Sequence, residues 1–176
     1  MSRHQEVLRE ITEELIGLDP ECSILVMGSA AHGEERSDSD IDILVYFMNE
    51  PSLTGELITE KNKKGMMVLP EFRNGVKIDI GWRMISDLKK SVPDGNAGYF
   101  YPITIGRLVR DPSGAIAAHI ESRRQWLKEH PKIAQAWEAQ IAEMKRHKAD
   151  PSYPLKYNEQ DFYRYLSELH KGTDTN

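Results

Sequence analysis

The stretch Gly28–Val45, GSAAHGEERSDSDIDILV, constrains this chain more than any other. Two carboxylates, Asp40 and Asp42, stand at the start of an apolar run made by Ile41, Ile43, Leu44 and Val45. In a strand, residues i and i+2 share a face. The spacing therefore predicts two carboxylates side by side at the mouth of a strand with buried neighbours. Like charges that close repel and raise one pKa unless something neutralises them. Hard divalent cations do so, and Mg²⁺ favours carboxylate and triphosphate oxygens. Upstream, the run Ser23–Met27 ends in Gly28-Ser29. A strand leaving through such a turn offers backbone N–H groups to an anion. Gly28 admits close approach of a phosphate, and Ser29 adds a hydroxyl. The Gly-Ser pair gains weight only because Asp-x-Asp follows it. The stretch reads as a metal-dependent phosphate site.

The rest of the chain supplies a frame and one more acid. Leu8, Ile11 and Leu15 predict a helix over 5–17, stopped by Gly17 and Asp19-Pro20. Strands are expected at Ser23–Met27 and Ile41–Phe47, with a single helical turn at Ala30–His32. A helix over 53–62 and a strand over 66–69, halted by Pro70, come next. Asn74-Gly75 is a hairpin signal. Val76–Trp82 then alternates, with Val76, Ile78 and Ile80 on one face and Lys77, Asp79 and Gly81 on the other. An acid inside such a strand is costly unless paired, hydrogen-bonded or metal-bound. Adjacent strands would bring Asp79 beside Asp40 and Asp42, and a separation above about 8 Å would remove it from a centre whose ions sit about 3.5–4 Å apart. The plainer alternative for Asp79 is a solvent-facing residue on a polar strand face.

A second part begins near Gly98. Helices are expected from the Asp111–Gly114 turn to His130-Pro131, over 132–147 and over 159–170, with GTDTN as a tail. This divides the chain into a core over 1–97, a helical extension over 98–170 that is a candidate acceptor-binding part, and a tail over 171–176. The fold class is α+β, a mixed sheet flanked by helices. The loop from Glu34 to Ser39 reads as a solvated connection, with Asp38 placed to brace it. His32 reads as a loop residue, and none of the six histidines sits with another His or Cys at ligand spacing. Walker A and Ser-His-Asp patterns are missing from the sequence.

A net charge of −5 gives no general case for a nucleic-acid binder, though it leaves room for a local basic cleft. No apolar run reaches membrane-spanning length. The charged amphipathic start differs from a secretory signal, and a single cysteine, Cys22, suits a reducing compartment. The cytoplasm is the expected location, without a membrane partner.

The pattern of Gly28-Ser29, a short loop, Asp40-x-Asp42 on a strand and Asp79 in VKIDI resembles the nucleotidyltransferase superfamily. That superfamily includes DNA polymerase beta, the antibiotic nucleotidyltransferases and the minimal bacterial and archaeal members. The likeness covers roughly 23–82. It implies a catalytic and metal-binding set of Asp40, Asp42 and Asp79, with Gly28 and Ser29 holding the β/γ phosphates. It further implies two Mg²⁺ ions and a nucleoside triphosphate, ATP by default, as donor to a small hydroxylated acceptor. Arg36, Arg73, Lys77 and Arg83 are candidates for a further phosphate contact, with no choice among them. The short helical part leaves open a homodimer-built site, a stand-alone minimal enzyme or a piece of a longer protein. The alternatives are a catalytically silent nucleotide-binding or regulatory member, and an enzyme that modifies RNA or protein. Nucleic acid is the less favoured acceptor.

Overall fold

In a computed structural model of the chain, residues 2–49, 69–90 and 100–173 are described. The expected helix at 53–62 lies outside them, as do residues 66–68 of the expected third strand. The chain divides into two compact units, one of Met1–Ser91 with Ile105–His119 and the other of Val92–Thr104 with Ile120–Asn176.

The first unit is built on a mixed five-stranded sheet. Its strands are β1 (Ser23–Met27), β2 (Ile41–Phe47), β3 (Leu69–Arg73), β4 (Val76–Met84) and β5 (Arg107–Arg110), in the order β3-β4-β2-β1-β5. β2 and β4 run parallel, and the other neighbouring pairs run antiparallel. The α+β class expected from the sequence is the one observed.

Alternation on β2 and β4 makes one core face. Ile41, Ile43, Val45 and Phe47 lie on it with Val76, Ile78, Ile80 and Trp82, all buried. Helix α1 (Arg3–Leu18) contributes Val7, Leu8, Ile11 and Leu15 to the same core. Each such side chain contributes about 1.5–3 kcal/mol on burial. α1 starts earlier than its apolar stripe suggests, because Ser2 and Gln5 form a capping box: Gln5 N donates to Ser2 Oγ at 3.2 Å, and Ser2 N donates to Gln5 Oε1 at 3.0 Å. Buried Asp19 accepts from the backbone N–H groups of Glu21, Met48 and Asn49 and thereby holds the exit of β2.

Two elements differ from expectation. Pro70 does not halt the third strand but lies inside β3. β3 is an edge strand, where a residue without an N–H can be accommodated on the unpaired side. The hairpin follows at Asn74-Gly75, both with positive φ (49° and 72°), the signature of a type I′ turn. At the other edge, β5 pairs with β1 where the sequence suggested no strand. Ser23 Oγ donates to Asp111 at 2.8 Å, and Asp111 also accepts from Ala117 N at 2.8 Å, so one carboxylate ties β1 to the start of α4 (Ala115–Glu129).

The second unit is helical, and most of α3 (Phe100–Ile105) belongs to it. α5 (Pro131–Ala149) and α6 (Glu159–Thr173) bury Ile133, Trp137, Phe162 and Leu166 together with Leu127. Phe162 meets Trp137 edge-on at 4.8 Å, and Tyr101 stacks on Trp137 at 6.0 Å. Pro131 opens α5 rather than only closing the preceding helix, as befits a residue whose missing N–H is unneeded there. No helix among the described residues is long and apolar enough to cross a membrane.

Candidate metal centre

Register assembles the acids. Asp42 on β2 lies opposite Asp79 on β4, and opposite Met27 on β1. Because β2 and β4 are parallel and in phase, the two side chains emerge on one face, opposite that of Ile41, Ile43, Ile78 and Ile80. Asp40 sits just before β2, one pleat upstream of Asp42. Ligand oxygens of Asp40, Asp42 and Asp79 all lie within 4.8 Å of one another, and each residue is partly buried. That is well inside the separation that would exclude Asp79.

Gly28 belongs to the same construction. It follows Met27, opens the short helix α2 (Gly28–His32) and has φ +65°. A Cβ there would sit 2.7 Å from Asp42 Oδ2. The left-handed backbone favours glycine, and a Cβ would in addition displace the end of the Asp42 carboxylate. Ser29 is the next residue of α2 and is partly buried.

The loop leading into Asp40 is held from α1. His4 is buried and donates from Nε2 to the Ser39 carbonyl at 2.9 Å. Arg3 Nη2 donates to the Ser37 carbonyl at 2.8 Å. Arg36 N donates to Ser39 Oγ at 2.9 Å, closing the turn around buried Ser39. These anchors escaped the sequence reading. The available signal was a histidine on the apolar stripe of α1, one helical turn before Val7 and Leu8. Asp38 is exposed and pairs with Arg36 at 3.4 Å, so its bracing is confined to the loop itself. His32 is exposed at the end of α2.

Among the basic candidates, Lys77 stands at the acids. Its Nζ is 2.5 Å from Asp79 Oδ2 and 3.9 Å from Asp40 Oδ2. The hydrogen bond to Asp79 raises the Lys77 pKa against the loss of solvation, and the charges of Asp79, Asp40 and Asp42 add to the rise. Arg73 is turned to Glu14 of α1 in a bidentate pair, and Arg36 to Asp38. Arg83 lies further along β4 on the face of Lys77 and Asp79, four residues beyond Asp79 or roughly 13 Å of strand.

The donor set is all carboxylate oxygen, the set a hard divalent cation prefers. The Lys77 ammonium pairs with Asp79 and lies beside Asp40, so two of the three carboxylates face a cationic side chain. A groove of about 640 Å³ lies elsewhere in this unit, lined by Leu8, Thr12, Ala31, His32, Arg107 and Val109 among others, and none of the three aspartates lines it.

Residues 8–94 match the nucleotidyltransferase domain family. That span contains β1 to β4, Gly28 and all three aspartates. The chain therefore carries a nucleotidyltransferase domain of the DNA polymerase beta-like superfamily, the group its motifs resemble. No curated protein matches the chain.

Proposed function

We propose that this nucleotidyltransferase domain is an active, metal-dependent enzyme that moves a nucleoside monophosphate, AMP from ATP, to a hydroxyl of a small acceptor and releases pyrophosphate. The observation that carries the reading is the in-register pairing of Asp42 with Asp79, with Asp40 beside them. In this reading Asp40, Asp42 and Asp79 hold two Mg²⁺ ions. Bound ions would neutralise the triphosphate and the leaving pyrophosphate.

The chain's own residues orient the reactants. Asp40 and Asp42 are kept in place by buried Ile41 and Ile43 and by the anchored loop before them. Gly28 leaves the space that the Asp42 carboxylate uses, and Ser29 offers its hydroxyl to the β/γ phosphates. The acceptor oxygen bonds to the α-phosphorus as the bond to the β-phosphate oxygen breaks, and Asp79 takes the acceptor's proton. Such transfers depend on positioning and charge neutralisation more than on covalent help, so three carboxylates suffice. ATP and AMP follow from the resemblance rather than from a base-reading residue. A cytoplasmic setting suits the free, buried thiol of Cys22.

The test is incubation with each labelled nucleoside triphosphate and Mg²⁺ or Mn²⁺, against pools of hydroxylated small molecules, proteins and RNA. Label should pass to a small acceptor with stoichiometric pyrophosphate, and Asp42→Ala should abolish it. Full activity in both Asp40→Ala and Asp42→Ala would overturn the reading, and transfer only to RNA or protein would correct the acceptor class.

A further inference from the structure

We infer that Lys77 is the resident counter-ion of the acid cluster and is displaced onto the donor's phosphates when metal enters, so that it couples metal binding to triphosphate binding. This rests on the nucleotidyl-transfer reading above and adds to it a residue with two positions.

The sheet register puts Lys77 there. It precedes Asp79 by two residues on the same strand face, and the β2–β4 phase brings it level with Asp40. Its ammonium occupies an Asp79 oxygen at 2.5 Å and lies 3.9 Å from Asp40, the carboxylates a divalent ion would use. A monovalent ammonium offsets only part of the charge of three carboxylates, so the cluster keeps an appetite for a second cation. An entering ion competes with Lys77 for the Asp79 and Asp40 carboxylates. The side chain can leave: it is 42% exposed and ends a flexible four-carbon stem. Once released at the mouth of an anion site, it meets the oxygens of the incoming triphosphate, a charge-assisted partner of equal quality.

Linkage gives the consequence. Lys77 opposes metal alone, because it competes for the same oxygens, and favours metal together with triphosphate, because it gains a new partner. Such coupling is reciprocal, so the triphosphate should tighten metal binding through Lys77. Of the other basic candidates, Arg36 pairs with Asp38 and Arg73 with Glu14.

The experiment titrates Mn²⁺ into the full chain, with and without an ATP analogue carrying a methylene between the α and β phosphorus, and reads bound metal by electron paramagnetic resonance. Wild type, Lys77→Met, Lys77→Gln, Lys77→Arg and Asp42→Asn are compared. Lys77→Met should bind Mn²⁺ alone about fivefold or more tighter than wild type and lose most of the tightening caused by the analogue. Lys77→Gln, with a polar uncharged end, should do the same and stands in if Lys77→Met does not fold. Lys77→Arg should restore the coupling. Wild-type behaviour of both uncharged variants, or weaker Mn²⁺ binding alone, would overturn the role of Lys77 while leaving the metal centre standing. Wild type that takes up no Mn²⁺ in either condition, indistinguishable from Asp42→Asn, would overturn the metal centre and this role with it.

Discussion

The two faces of the β2–β4 pair are made by alternating residues of the same strands, and where the acids stand they do different work. One face carries Ile41, Ile43, Val45, Ile78 and Ile80, all buried under α1. The other carries Asp42, Lys77 and Asp79, partly exposed and charged, with Asp40 at its entrance and the buried Leu44 and Tyr46 further along β2. Charge on the second face costs free energy, since carboxylates held together repel. Apolar burial on the first offsets that cost and fixes the strand phase. The comparison teaches that the site is a property of the pair of strands: the apolar face sets the register, and the register brings the acids together.

Breaking the charged face should give the largest effect on activity and little on stability. Asp42→Ala should lower transfer at least about 100-fold, beyond the loss expected for a residue that merely orients a ligand. Its unfolding midpoint should move far less than that of a core truncation, because the partly buried side chain contributes no apolar packing. Pyrophosphate release and thermal denaturation on the same preparation check both halves. A fall in melting temperature with retained turnover would reverse the assignment of the faces.

The apolar face should answer in the other currency. Ile43 is 1% exposed and neighbours Asp42 in sequence. Ile43→Ala should destabilise the fold by about 2–5 kcal/mol in denaturant unfolding. Per folded molecule below the transition, turnover should stay within a few-fold of wild type, since the carboxylates are untouched.

Gly28 touches both comparisons at smaller scale. Gly28→Ala forces an L-residue into the left-handed region, at about 1–2 kcal/mol, and puts a methyl against Asp42 Oδ2. The carboxylate end can rotate away, so the fold should survive, but its oxygen leaves the cluster. Activity should drop about tenfold or more, as displaced reacting groups generally cause, and added Mn²⁺ should recover part of it. Unchanged metal dependence would show that Asp42 has other room.

The smallest effect belongs to Cys22, in the apolar core. Burial and then the Asp19 charge push its thiol up from 9.0 to about 11, with Arg110 pulling the other way. The folded state therefore favours the protonated thiol. This contribution is complete below the unfolded thiol's pKa and is lost as pH rises towards 11. Iodoacetamide at pH 8 should leave Cys22 unmodified in the folded chain and label it on unfolding, and Cys22→Ala should leave turnover unchanged.

What the sequence made legible followed from local geometry. β1 and β2 appear over the residues expected, and the Asn74-Gly75 hairpin forms where its turn chemistry predicts it. β5 was missed because RLVR is short, carries two arginines and alternates only between partial and full exposure. What makes it a strand is pairing with β1, remote in sequence, so that Leu25 lies opposite Leu108. A proline reads as a strand stop in sequence, yet Pro70 lies within β3 because that strand is at the sheet edge. The anchoring of the Asp40 loop by His4 and Arg3 was hidden for a similar reason: its contacts join residues more than thirty positions apart.

By itself the sequence determined that Asp40 and Asp42 share a face and that their neighbours are buried, because the two-residue period of a strand needs no partner to be read. It also marked Asp79 as an acid out of place in an apolar strand. Only the tertiary structure decided that Asp79 stands opposite Asp42, that Gly28 makes room for the Asp42 carboxylate, and that Lys77 pairs with Asp79 beside Asp40. Those facts depend on inter-strand phase, which hydrogen bonding between distant segments and packing under α1 set together. A one-residue slip would turn every one of these side chains to the other face.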